Sequence, residues 1–291
     1  KSGSIFFAFE MIRLQLGRTT GKIKANEAIE SIGQVISKLV LIKSKINVEG
    51  YEEVSLNTAV LWKRRFHMYL AGIFVAEGRW RNVISELNEL DVELRNCLKN
   101  HLPKISQQED HSYEISLYLS LGQINSHIGK VFLNIGDVEK AEIFFSRAES
   151  FWGHKKIKFS ISKAQIWINR GLIAFAKGDY TNSSAFSERA ANEARLGHND
   201  VARLDLGIDF DGASTVISNS INNAALSYLY KCDIEKALSL LENVLLENPI
   251  GSLRDPTAFN LCALYDLSRG PGESTQMKSS LEELTKKIAP S

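Results

Sequence analysis

Gly129…Phe132…Gly136-Asp137…Ala141…Phe145…Ala148 is the stretch that decides the fold, because it returns twice with variation. The second copy reads Trp167…Gly171…Gly178-Asp179…Ala190, and the third Tyr228…Cys232-Asp233…Ala237…Leu241…Pro249. In each, apolar residues at helical spacing run into a Gly-Asp or Cys-Asp pair and then resume. One helix hairpin of this kind cannot bury its own apolar face, so neighbours must stack and bury a shared core.

These sizes and spacings resemble the tetratricopeptide repeat. The expected fold class is all-α: a right-handed α-solenoid of tetratricopeptide-type helix hairpins closed by a C-terminal capping helix pair. Successive copies start near Gly122, Ala164 and Ser218, a spacing of about 42 and then about 54 residues, against about 34 in a uniform array. The excess falls at 154–163 and 197–216, which are expected to be specialised loops. Closure entropy grows by only ~0.6 kcal/mol per doubling of loop length, so a stacked array tolerates them.

Working outward, Leu56 to Ala76 carries Leu61, Trp62, Phe66, Tyr69, Leu70, Ile73 and Phe74 at helical spacing, and Glu77-Gly78-Arg79 stands where Gly-Asp stands later. Val83, Leu87 and Leu90 follow at the repeat's positions, making 56–100 a degenerate repeat. Upstream, Ala28, Ile29, Ile32, Val35, Ile36, Leu39 and Val40 define a helix over Ala25 to Lys45, and Asn47 to Ser55 reads as a polar connection. Residues 1–55 are expected to be N-terminal helices packing on the solenoid, and 112–291 to hold the repeats and cap in one continuous solenoid. His101 to His111, with Pro103 and the polar run Gln107 to Asp110, has no period and reads as a mobile surface loop. Asn248-Pro249 stops a helix, Pro256 starts another, and after Gly270-Pro271-Gly272 a Lys- and Glu-rich helix spans Met277 to Ile288. Lys278, Glu282, Glu283, Lys286 and Lys287 give the cap a polar outer face.

Near the start, Ile5, Phe9, Ile12 and Leu16 share one helical face, and Phe6, Phe7, Met11 and Leu14 widen it beyond what one neighbour covers. Missing upstream chain, the rest of the domain or a partner would have to pack there. The chain opens on Lys1 and reads as a fragment of a longer protein.

The balance of 35 Lys plus Arg against 34 Asp plus Glu leaves a formal charge of +1, which gives no long-range attraction toward nucleic acid or anionic lipid. No apolar run approaches the ~20 residues of a bilayer span. Cys97, Cys232 and Cys262 are odd in number, far apart and set in helical patterns, so each is expected to pack as a small hydrophobe in a reducing compartment.

Chemistry is sparse. The histidines are scattered and none forms the His-Glu-x-x-His pair of zinc hydrolases. Asp209-Phe210-Asp211-Gly212 resembles a calcium loop only at its centre, since Gly207 and Ser218 hold its first and last ligand positions. No catalytic residue, metal site or cofactor is expected.

A protein-binding site is the remaining candidate. Some tetratricopeptide domains clamp acidic C-terminal tails with two Lys, two Asn and an Arg; at those positions this chain has Ser126, Lys130, Asn169, Asn219 and Asn223. One Asn is kept and the cations needed for charge-assisted bonds to a carboxylate are gone. First helices of such repeats line the concave face, so Lys130, Asn169, Asn219, Asn222 and Asn223 are the candidate contacts, either with a ligand backbone or between helices. Lys63-Arg64-Arg65 reads as a solvated helix face or an acidic-partner site. Of the four tryptophans, Trp152 is the hardest to cover, because a helix ends there before Gly153-His154-Lys155-Lys156.

A narrower likeness lies in the C-terminal third. Asn222-Asn223-Ala224-Ala225…Tyr228-Leu229, Leu238…Leu241-Glu242, Pro249 and Phe259-Asn260-Leu261-Cys262…Leu264-Tyr265-Asp266-Leu267 resemble the end of the subunit-twelve family of the trafficking protein particle (TRAPP) complex, with Asp266 in place of Glu. The resemblance implies a noncatalytic scaffold in a TRAPP III-type membrane tether of ER-to-Golgi traffic and autophagy. Its implied partners are the long subunits eight and eleven, and its implied location is cytoplasmic, peripheral at ER-Golgi membranes through the complex. A general tetratricopeptide adaptor or cochaperone is the alternative.

Overall fold

The computed structural model describes the backbone of residues 2–49, 53–101, 110–197, 208, 212–252 and 255–288, and the side chains of 7–41, 58–100, 113–197, 208, 212–252 and 256–287. Among them there are thirteen helices and no strand. They are α1 (Ser2–Thr19), α2 (Ala25–Glu49), α3 (Glu53–Ala76), α4 (Trp80–His101), α5 (Asp110–Ile135), α6 (Val138–Trp152), α7 (Ser160–Ala176), α8 (Tyr180–Leu196), α9 (Ala213–Tyr230), α10 (Ile234–Glu247), α11 (Pro249–Ser252), α12 (Asp255–Ser268) and α13 (Pro271–Ile288). The fold is all-α and built of tetratricopeptide-type hairpins.

One six-residue device ends the first helix of a hairpin and starts the second. Gly136 has φ 88°, its N–H bonds to Leu133 O at 3.0 Å, and the Asp137 N–H reaches Phe132 O at 2.9 Å. Gly178-Asp179 repeats this with φ 79° and bonds to Phe175 O and Ala174 O, both at 2.9 Å. Gly78 has φ 66° and Cys232 φ 63°, with the same pair of bonds in each case. This left-handed C-terminal cap satisfies carbonyls that would otherwise be orphaned. The aspartate then caps the next helix: Asp179 accepts from Asn182 N–H at 3.0 Å and Asp233 from Lys236 N–H at 3.1 Å. The bonds from Asn182 hold the Asp179 carboxyl below its usual range.

The chain divides into two compact units, Lys1–Asp137 with Arg203–Phe210, and Val138–Ala202 with Asp211–Ser291. In the first, α2 packs on α3, α3 on α4 and α4 on α5, while α1 lies on α2 and α3. Leu14, Ile32, Phe66, Leu87, Leu90, Leu117 and Ile128 are fully buried, each contributing roughly 1.5–3 kcal/mol by leaving water. The connection expected at 47–55 is shorter, because α2 runs to Glu49 and α3 opens at Glu53. Likewise α4 runs through His101 and α5 opens at Asp110, so the remainder of the expected His101–His111 loop lies outside the described residues. Of the two apolar sets on α1, Phe7, Met11 and Leu14 are buried, whereas Phe9, Ile12 and Leu16 are exposed.

The solvated reading of Lys63-Arg64-Arg65 is overturned. Arg64 is 2% exposed and its Nε donates to Glu93 Oε1 at 2.8 Å; Lys63 Nζ reaches Glu89 at 3.2 Å and Glu93 at 3.3 Å. Arg65 lies over the Trp62 ring at 4.8 Å, and His67, also buried, brings Nδ1 to 2.6 Å from Glu86 Oε2. On α4, Glu86, Glu89 and Glu93 are spaced as neighbours on one helical face, so the cations are consumed between α3 and α4. Burial alone would raise the Glu93 carboxyl; Arg64 and Lys63 outweigh it and hold it low.

The second unit is built around α8, which packs against α7 on one side and α9 on the other. Its buried face is small throughout: Ser183, Ser184, Ser187, Ala190, Ala191 and Ala194. A Cβ on Gly171 would stand 3.0 Å from Ser187 Oγ and 3.5 Å from Ser183 O, so α7 approaches α8 closely only because glycine is there. The Ser183 and Ser227 hydroxyls share a buried hydrogen bond of 2.9 Å that ties α8 to α9. Ile221, Ala225, Leu238, Leu241, Leu261, Leu264 and Tyr265 form the core of α9, α10 and α12, with Leu281 of α13 closing it.

Four further expectations change here. Trp152 is 2% exposed, because the following turn, in which Ile157 N–H bonds to His154 O at 2.7 Å, carries the chain back and buries Ile157 as well. The loops are shorter than 154–163 and 197–216, since α7 opens at Ser160 and α9 at Ala213, where buried Ile161 and Val216 already keep the helical period. The Asp209-Phe210-Asp211 stretch lies outside the described residues. Cys232 is not a packed hydrophobe but an exposed turn residue at positive φ, while Cys97 and Cys262 are half-buried in helices. The final helix begins at Pro271, six residues before the expected Met277, because proline presets the first helical position.

Candidate protein-binding surfaces

On the first-helix side of the second unit, α7 and α9 flank a cavity of about 140 Å³ lined by Gly171, Leu172, Phe175, Ser183, Asn223 and Leu226. Asn219, Asn223, Leu226 and Tyr230 follow one another on α9 at spacings of four, three and four, which is a single helical stripe. At its turn end Phe175, Tyr180 and Tyr230 make a three-ring cluster with centroids 4.9–5.2 Å apart, and Tyr230 is largely exposed. Asn219 is also exposed. The stripe therefore offers amide donors and acceptors next to an apolar pocket and an aromatic edge, a combination suited to a polypeptide.

Asn222 is turned to other work: its Oδ1 accepts from Asn260 Nδ2 at 2.8 Å, joining α9 to α12. Around that joint α12 exposes Phe259, at 75%, and Leu267 while burying Leu261, Leu264 and Tyr265. Asp266 is held below the usual carboxylate range by Lys278, whose Nζ donates at 2.5 Å, and by Ser274 at 2.7 Å. Tyr265 O–H donates to Glu242 at 3.2 Å, and burial together with that carboxylate pushes the phenol up to about 12.

Asn169 faces elsewhere. It is 2% exposed at the base of a cleft of about 440 Å³ formed by α6, α7 and α8. Phe145, Ile166, Ile173 and Phe186 contribute its apolar lining, and the Arg170–Glu149 and Lys177–Glu142 ion pairs span its rim. Both pairs are about half-exposed and add little stability. Lys130 lies on α5 in the first unit, in a separate cavity with Met68, Val75, Leu87 and Asn134. Of the five candidates, only Asn219 and Asn223 share one accessible stripe. Sequence reasoning missed Tyr230, Phe175 and Phe259; the α9 spacing would have picked out Tyr230, but nothing local predicts that an apolar Phe259 stays uncovered.

Among the described residues no group of three or more His, Cys, Asp or Glu side chains is placed to hold a metal ion, and no helix is long and apolar enough to cross a membrane.

Comparison with known proteins bears on the fold. The tetratricopeptide repeat model matches residues 164–195, which are the α7–α8 hairpin. Trafficking protein particle complex subunit 12 of Mus musculus is 24% identical over 212 residues, 70% of this chain and 22% of that protein. The Homo sapiens subunit is 24% identical over 205 residues, covering 70% and 24%. The chain thus spans about a quarter of the length of these relatives. The crystal structure of BtubC (BKLC) from P. vanneervenii superposes with a TM-score of 0.54 at 15% identity, over 91% of this chain and 90% of that one, a likeness of fold. The chain is a tetratricopeptide-type helical protein distantly similar, through most of its length, to subunit 12 of the trafficking protein particle complex.

Proposed function

We propose that this chain is a noncatalytic scaffold of a TRAPP III-type tethering complex, acting through protein contacts in ER-to-Golgi traffic and autophagy. It would hold the long subunits eight and eleven and reach membranes indirectly, from the cytoplasm, through the assembly. The observation that carries this reading is the 24% identity to subunit 12 sustained over 70% of the chain, on helices that leave apolar and amide side chains facing solvent. The contact surface is assigned to the first-helix side of the second unit, with Asn219 and Asn223 in one stripe with Leu226 and Tyr230 on α9. Asn222 supports it by joining α9 to α12, while Lys130 and Asn169 take no direct part in that stripe.

Affinity purification of the tagged full-length protein, followed by mass spectrometry, is expected to recover TRAPP subunits in near-equal amounts. Introducing negative charge by Asn219→Glu with Asn223→Glu should then reduce recovery more than the charge reversal Lys278→Glu with Lys286→Glu. A pull-down free of every TRAPP subunit would remove the assignment and leave the fold untouched. The adaptor alternative draws on the pocket beside Asn223, whose amide can bond to the backbone of an extended peptide. Recovery of chaperones or unrelated cargo alone would favour it.

A further inference from the structure

We infer that the α9 stripe takes an uncharged, proline-rich segment of a partner protein in the polyproline II conformation, an inference that rests on the assignment of that stripe as a contact surface. Its centre is the three-ring platform of Phe175, Tyr180 and Tyr230. The ring centroids lie 4.9–5.2 Å apart, which is contact distance, so no flat side chain fits between them and a ligand has to lie on top. Beside the platform, the cavity of about 140 Å³ is well below the ~300 Å³ at which small-molecule sites begin, and it has room for one short apolar group. An aromatic surface with a shallow notch is the form in which protein domains dock polyproline II ligands.

Charge and hydrogen bonding narrow the ligand further. Gly171, Leu172, Phe175, Ser183, Asn223 and Leu226 line the cavity and none is charged, so an acidic or basic side chain entering it loses water and gains no counter-ion. Charge complementarity therefore selects a neutral segment. The Asn223 amide and the Tyr180 and Tyr230 hydroxyls can each donate a hydrogen bond. A polyproline II backbone makes no internal hydrogen bonds and offers its carbonyls as acceptors, and its prolines bring no N–H that needs an acceptor in return. So shallow a surface buries little area. The segment it holds best is one already extended before binding, with little conformational entropy left to lose.

The dimensions agree for a segment laid along α9. Asn219 and Tyr230 are eleven residues apart, about 16 Å at a helical rise of ~1.5 Å, and about five residues of polyproline II cover that length at ~3.1 Å each. Asn223 and Tyr230 are seven residues apart, about 10 Å along the axis, close to the ~9 Å that separates residues i and i+3 of a polyproline II helix. Those two residues face the same way, so one meets the amide and the notch while the other lies on the rings.

The test is fluorescence anisotropy of labelled, end-capped nonaproline titrated with the full chain. A capped nine-residue peptide of Gly, Ala and Ser, and a capped nonaproline with every third proline replaced by glutamate, serve as comparisons. Nonaproline is expected to bind about tenfold or more tightly than the first and also more tightly than the second. Tyr230→Ala should weaken nonaproline about tenfold with helix content retained, since Tyr230 is largely exposed. Asn223→Ala should weaken it about fivefold, the value of one hydrogen bond, and Lys278→Glu with Lys286→Glu should leave it unchanged. Equal binding of nonaproline and the Gly, Ala and Ser peptide, no nonaproline binding, tighter binding of the glutamate-bearing peptide, or full binding by both the Tyr230→Ala and Asn223→Ala variants would overturn the assignment. None of these results touches the recovery of TRAPP subunits. A pull-down free of TRAPP subunits, with nonaproline still bound in a Tyr230-dependent way, would remove the scaffold reading and leave this site standing.

Discussion

The α3–α4 and α7–α8 hairpins turn on the same backbone device yet are cemented by opposite chemistry. Between α3 and α4, Lys63, Arg64 and His67 interlock with Glu86, Glu89 and Glu93, and Arg64 is almost completely buried. Between α7 and α8 the closest approach is made by Gly171, Ser183, Ser187 and Ala190, none of which carries a charge, with Trp167 stacked on Phe186 and covered by Arg189 at the edge. Glycine at positive φ fixes the reversal in both, so the turn does not dictate what fills the interface. A charged interface tolerates spacing but depends on every partner being present. A small-residue interface needs no partner but admits no extra volume.

The largest expected effect follows from the first half of that contrast. Glu93→Gln leaves Arg64 buried without its carboxylate and should cost about 3 kcal/mol, the usual consequence of removing one member of a buried pair. Replacing both, as Arg64→Met with Glu93→Leu, should cost much less, because the two desolvation penalties disappear together. Denaturant unfolding of the single and double variants checks this, and a double variant as damaged as the single one would show that packing rather than charge dominates. The sign with pH is determined by the lowered Glu93 carboxyl. Its contribution is present above the unfolded carboxylate range near pH ~4.3 and is lost as pH falls through the lower folded value.

The second half predicts a smaller but still sizeable loss. Gly171→Leu drives a branched side chain into Ser187 Oγ, Ser183 O and Phe186 Cβ, the last of which would stand 3.6 Å from the new Cβ, and should cost about 2 kcal/mol by overpacking. Gly72→Ala, at a point of α3 where a Cβ meets nothing within 4 Å, should instead stabilise its helix by about 0.5–1 kcal/mol. If both substitutions destabilise alike, close approach is not the reason glycine occupies position 171.

These contrasts also explain what the sequence made legible. The hairpins could be read because helical period and Gly-Asp turns are local signals, and Gly171 and Ala190 stand at offsets within one copy. The α3–α4 network could not, because Lys63 and Arg64 meet Glu89 and Glu93 on the next helix, and a run of three cations looks solvated without them. Asn219 and Asn223 were legible as a shared face, being one helical turn apart on α9. Asn169 was not placed by the same rule, because which side of α7 opens depends on how α6 and α8 flank it. Trp152 was misjudged because its cover comes with the turn that follows, not from its own helix.

Cys232 tests whether the shared turn itself carries strain. The other three copies place glycine at positive φ, where a side chain costs roughly 1–2 kcal/mol, offset in part by the greater entropy glycine loses on folding. Cys232→Gly should therefore stabilise the α9–α10 hairpin by about 0.5–1 kcal/mol. A chemical denaturation midpoint that falls instead would mean the thiol makes a compensating contact, and the turn would no longer be equivalent across the copies.

The last effect is silent at neutral pH and probes a third kind of cement, an aromatic ring buried in an apolar core with its hydroxyl on a carboxylate. Tyr265 packs among Leu238, Leu241 and Leu261 and donates to Glu242, and its phenol is raised to about 12. The unfolded phenol titrates near pH ~10. A group whose folded value is the higher one stabilises fully below the unfolded value, and that contribution disappears as pH rises through the folded one. Stability of the second unit should thus fall between about pH 10 and 12, with Tyr265→Phe flattening that decline, as the unfolded tyrosine no longer gains from ionising. Ultraviolet titration of phenolate absorbance reads the same event directly. A Tyr265 that ionises with the exposed tyrosines near pH ~10 would show that the ring is not sealed into the α10–α12 interface, and that this junction relies on its leucines alone.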